Sequence, residues 1–138
     1  MELKHHELTV QLSDDWWAEA GMIGFKPSSS AYRSDPGAFP ARRIVEVRIA
    51  DIRPVQRAPN VGIFNDSPKA TARERVVSIL QGFRSGAAIP PVEVVEAAGS
   101  GAHPYKLVHG SHRLYCSLAA GFTHVPAVEG IDQGTALG

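Results

Sequence analysis

Apolar and polar positions along the chain change period several times, and each change marks an element. "HELTVQL" (His6–Leu12) alternates with period two and predicts a strand. "SDDWWAEAGM" follows, with Ser13 or Asp14 placed to cap a short helix. Residues 24–40, rich in Gly, Pro and Ser, carry neither period and read as a connection. "RIVEVRI" (Arg43–Ile49) predicts a second strand, with Val45, Val47 and Ile49 on one face and Glu46 and Arg48 on the other. Residues 50–70 then form a long loop with three prolines, and loops of that length inside a domain are often functional.

"TARERVVSILQGFRSG" (Thr71–Gly86) switches to helical spacing, with Val76, Ile79, Leu80 and Phe83 on one stripe and Gly86 as the stop. "IPPVEVVEA" is a strand with prolines at its start, where a missing amide is tolerated. "GSGAH" is a turn and "PYKLVH" the next strand. A helix from His112 to about Ala120 ends at Gly121, and "HVPAV" is the last strand. The order β–loop–α–β–β–turn–α–β predicts a small α+β domain with a mixed sheet over residues 41–130. Residues 1–40 form an added strand–helix extension, and residues 131–138 a tail. That extension is too short to hold its own core, so Trp16, Trp17 and Phe25 are expected to dock on the body, on a protein partner or on a second copy.

Composition adds exclusions. In 138 residues, 14 basic side chains balance 14 acidic ones, so no global field draws the protein to nucleic acid or membrane. One cysteine, Cys116, excludes an internal disulfide and suits a reducing compartment. No apolar run reaches membrane-spanning length and the first residues lack a signal-peptide core, so a cytoplasmic location is expected.

Chemistry concentrates at "HGSHR" (His109–Arg113), where a strand meets a helix. Gly110 permits the sharp change of direction, and Ser111 is placed to cap the helix through its hydroxyl. His112 and Arg113 then stand in the first turn, where the helix dipole already favours an anion and disfavours cations by roughly 0.3–1 kcal/mol each. A bound phosphate, gripped by Arg113 through two oxygens, would remove the conflict. The plain alternative is that these side chains are solvated or pair with Glu46, Asp51 or Glu93. A zinc site from His109, His112 and Cys116 lacks paired ligand spacing. Ser111 as a nucleophile lacks both the Gly-x-Ser-x-Gly elbow and an acidic partner.

"HGSHRLYCSLAAGFTHVPAV" resembles the phosphate-binding stretch of the ParB/sulfiredoxin superfamily: Gly-x-His-Arg, an Ala-rich helix, a Gly and a Pro-containing strand. "VEVRIADIRPVQR" resembles the family's first strand and loop, and "RERVVSILQGFRSGAAIPPVEVV" its helix and following strand, so the likeness spans about residues 44–129. It implies a pocket for ATP, ADP or CTP, often with Mg²⁺, in which Gly110, Ser111, His112 and Arg113 hold phosphate oxygens. Gln56 and Arg57 match less closely, His109 stands beside the motif, and Glu74 is the candidate general base. Sulfiredoxins carry a catalytic cysteine where this chain has Ser111, so their thiol chemistry is not expected here. No helix-turn-helix follows the last strand, which argues against partition-site DNA binding. Open at this point are a small kinase or nucleotide hydrolase, a nucleotide-gated interaction module, and, with least support, a nuclease.

Overall fold

The computed structural model describes residues 1–35, 37, 41–57, 62–97 and 103–130. The predicted turn at Gly99–His103 falls mostly outside these residues, as do the tail 131–138 and part of the 24–40 connection.

The chain begins with a hairpin rather than a single strand. β1 (Glu2–His5) pairs antiparallel with β2 (Leu8–Gln11), His5 opposite Leu8. His6, at the two-residue turn, has φ 56, the left-handed conformation such turns need. The sequence has no Asn-Gly or Gly there to announce it. α1 (Asp14–Glu19) is capped as expected, Ser13 Oγ accepting from the Trp16 amide at 3.4 Å.

Four further strands form a mixed sheet in the order β3 (Val45–Arg48), β6 (His124–Glu129), β4 (Val92–Glu96), β5 (Tyr105–His109). β6 runs antiparallel to β3 and parallel to β4, while β4 and β5 are antiparallel. The architecture is α+β. The expected face Val45–Val47–Ile49 is only partly real. Val47 and Ile49 are buried, but Ile49 belongs to a 3₁₀ turn, and Val45, at the start of an edge strand, is 41% exposed.

α2 (Ala72–Ser85) opens with a capping box between Thr71 and Glu74 and closes on Gly86 at φ 74. Its stripe Val76, Leu80 and Phe83 is buried. α3 (Ser111–Ala120) packs on α2, on β4 and β6, and on the hairpin, burying Leu114, Tyr115, Cys116 and Ala120. Residues 1–35 enter this same core through Leu3, Val10, Leu12, Met22 and Tyr32. Trp16, Trp17 and Phe25 pack half-buried against it.

Candidate functional site: a cationic cavity at the start of α3

Two local devices seat the turn between β5 and α3. The register of β5 on β4 slips by one residue, Val94 facing Leu107 and Glu93 facing His109, so Val108 is the extra residue of a bulge. Gly110 then turns the chain at φ 109. A Cβ there would stand 2.7 Å from Val92 Cγ1, so both the backbone angle and the space require glycine. This corrects one expectation: the N-cap of α3 is Gly110, Ser111 is its first helical residue, and no side chain caps it. The Ser111 hydroxyl instead accepts from Arg57 Nη2 at 3.1 Å.

The turn opens into a cavity of about 930 Å³. Its walls are the loop after β3, one face of α2, the residues before β4, β5 and the first turn of α3. Among the described residues five cationic ones line it, Arg53, Arg57, Arg75, Lys106 and Arg113, and no aspartate or glutamate does. In a chain with no net charge, this is a strong local segregation of sign.

The structure brings Gln56, Arg57, His109, Gly110, Ser111, His112 and Arg113 to this one cavity. Glu74 is not among its lining residues; its carboxylate accepts from the Thr71 amide and hydroxyl as half of the capping box. Arg113 does not pair with Glu46, Asp51 or Glu93. Its Nη1 donates to the carbonyls of Pro90 (3.2 Å) and Pro91 (3.1 Å), which ties the start of α3 to the start of β4.

Sequence reasoning missed Arg53, Arg75 and Lys106. Arg75 had a legible signal, since Arg75, Ser78 and Ile79 share a helix face and all line the cavity. Lys106 is visible only once β5 is paired.

His112 is 5% exposed, and its Nε2 is buried without a hydrogen-bond partner. Burial pushes its pKa down to about 4, the guanidinium charges of Arg75 and Arg57 add to the effect, and a backbone bond at Asn65 opposes it. The ring is therefore neutral near pH 7. Phe64 lies 5.6 Å from it, centroid to centroid.

Cys116 is a buried free thiol whose pKa burial raises, and Ser111 stands at the turn, so no thiolate faces the cavity. Among the described residues no group of three or more His, Cys, Asp or Glu is placed to hold a metal ion, and no helix is long and apolar enough to cross a membrane.

Among solved structures, the crystal structure of sulfiredoxin from Arabidopsis thaliana is similar to this chain, with 20% identity, a TM-score of 0.48, and coverage of 69% of this chain and 92% of that one. No family model and no curated protein matches the sequence.

Proposed function

We propose that the cavity binds the polyphosphate group of a nucleotide, as the motif resemblance to the ParB/sulfiredoxin superfamily implies. The observation that carries this reading is the set of five cationic side chains, unopposed by any carboxylate among the described lining residues, around the open start of a ten-residue helix. Unpaired first-turn amides and guanidinium groups favour the same ligand, a multiply charged oxyanion. Mg²⁺ would arrive on the phosphates, because no described lining residue offers it a carboxylate.

Binding is better supported than turnover. Phosphoryl transfer to a hydroxyl calls for a group to accept its proton, and Glu74 is committed to the helix cap. A nucleotide-gated module is thus the favoured form. A second cavity of about 770 Å³, lined in part by Trp16 and Phe64, shares Val55 and Arg57 with the first. It supplies an aromatic surface for the base beyond the phosphates.

Isothermal titration of ATP, ADP and CTP with Mg²⁺ tests the reading. Micromolar binding that weakens at least tenfold in Arg57→Ala, and more steeply with salt in the wild type than in the variant, is the expected result. No heat from any of the three would overturn it.

A further inference from the structure

The second cavity is built mainly by a part of the chain outside the ParB/sulfiredoxin-like stretch 44–129. One wall comes from β2, α1 and the residues that join them, residues 8–14 and Trp16. The other belongs to the loop after β3, with Val55, Arg57, Ile63 and Phe64. One phenol sets the two walls against each other. Tyr115 Oη on α3 meets His5 Nδ1, in the hairpin, at 2.8 Å and accepts from the Val55 amide at 3.0 Å. The fold itself thus holds both walls, which lowers the ordering cost of any ligand between them.

The two cavities meet at two places. Arg57 lines both, and its Nη2 donates to Ser111 Oγ in the first. Phe64 of the second lies 5.6 Å, centroid to centroid, from the His112 ring of the first. Their chemistry differs. The first gathers cations, whereas apart from the shared Arg57 no described side chain lining the second is cationic. The second has Trp16 and Phe64 instead, rings on which a planar heterocycle can stack, with Leu8 and Ile63 as apolar surround. A ligand that fills both cavities must join a polyanion to a flat, largely apolar body.

We propose that the N-terminal extension is the nucleoside-selecting part of this protein. The base stacks on the Trp16 indole in the second cavity while the phosphates lie in the first, and residues 1–16 make the site prefer a nucleotide to a bare polyphosphate. Trp16 is the specificity-determining residue, and Arg57 stands where the two halves of the ligand join. This assignment rests on the polyphosphate reading and deepens it, and its test separates the two.

The test is calorimetric titration of ATP and of inorganic tripolyphosphate, each with Mg²⁺, into the wild type and Trp16→Ala. Tripolyphosphate carries at least as much negative charge as ATP, so tighter binding of ATP reports the nucleoside. The wild type should bind ATP at least about tenfold more tightly, and Trp16→Ala should lose that margin while its affinity for tripolyphosphate stays within about twofold. In Trp17→Phe, whose one tryptophan is Trp16, ATP should change the indole fluorescence and tripolyphosphate should not. This second measurement decides the matter if Trp16→Ala does not fold. Equal affinities in the wild type, or an equal loss of both ligands in Trp16→Ala, would overturn the nucleoside compartment and leave the anion cavity standing. Geranyl diphosphate binding more tightly than ATP would give the compartment to an aliphatic chain and overturn the proposal as well. Binding of neither ATP nor tripolyphosphate would overturn both readings.

Discussion

His5 and His112 are the same residue type at nearly the same burial, 3% and 5% exposed, and both have pKa values lowered chiefly by burial. Their surroundings differ in what is left open. At His5, Nε2 meets the Ile49 carbonyl at 3.1 Å and Nδ1 meets Tyr115 Oη at 2.8 Å. The Val55 amide donates to that same Oη at 3.0 Å. A carbonyl only accepts, so Nε2 carries the proton; bare Nδ1 then accepts from the phenol. Every group in the chain Val55–Tyr115–His5–Ile49 is used, and it pins the N-terminal hairpin to α3 and to the loop that leads to Arg57. His112 lines a cavity ringed by cations, and its buried Nε2 has no hydrogen-bond partner. Burial does not distinguish the two histidines; the hydrogen bond left unmade at His112 does.

Four experiments would break or sharpen the contrast. The largest effect is expected from Gly110→Ala, which removes the turn that seats His112. A positive φ and a 2.7 Å approach to Val92 should together cost about 3 kcal/mol or more in urea denaturation. A loss under about 1 kcal/mol would mean that the turn relaxes easily.

Acid comes next. Both histidines have folded pKa values below the unfolded value of 6.5, so the unfolded chain binds more protons as pH falls below that point. Stability should therefore be complete above about pH 6.5 and decline toward pH 4. His112→Gln should remove up to about 3 kcal/mol of that decline, the shift to about 4 setting the scale. Unchanged pH dependence in the variant would show that the free ring is not held neutral.

Tyr115→Phe should cost roughly 2 kcal/mol at neutral pH, because it strands the Val55 amide and His5 Nδ1 in the core. A neutral outcome would mean that the chain of bonds is not what holds the hairpin. Ser111→Ala should change stability least, by under about 0.5 kcal/mol, since Ser111 caps nothing and its hydroxyl only accepts from Arg57. A loss of about 1 kcal/mol, the usual worth of an N-cap, would restore it to that role.

The elements themselves were legible because their signals are local. Helical spacing from Val76 to Phe83, alternation in β4 and β5, and glycines at 86, 110 and 121 mark elements and ends through nearest neighbours alone. The hairpin was not legible in full, since His6 takes a left-handed angle that its residue type does not advertise. Of the cavity lining, Gln56, Arg57 and His109 to Arg113 were legible, and Arg53, Arg75 and Lys106 were not.

The sequence by itself determined the order of elements from β3 onward, the α+β class and the place where strand gives way to helix. Only the tertiary structure decided that Gly110 rather than Ser111 caps α3, that Arg113 reaches back to Pro90 and Pro91, and that Arg53, Arg75 and Lys106 face the same space as His112. The reason is physical. Period and turn chemistry act over a few residues, whereas the convergence of charges from a loop, a helix and a strand depends on which strands pair and in which register, and that is set by packing across the whole chain.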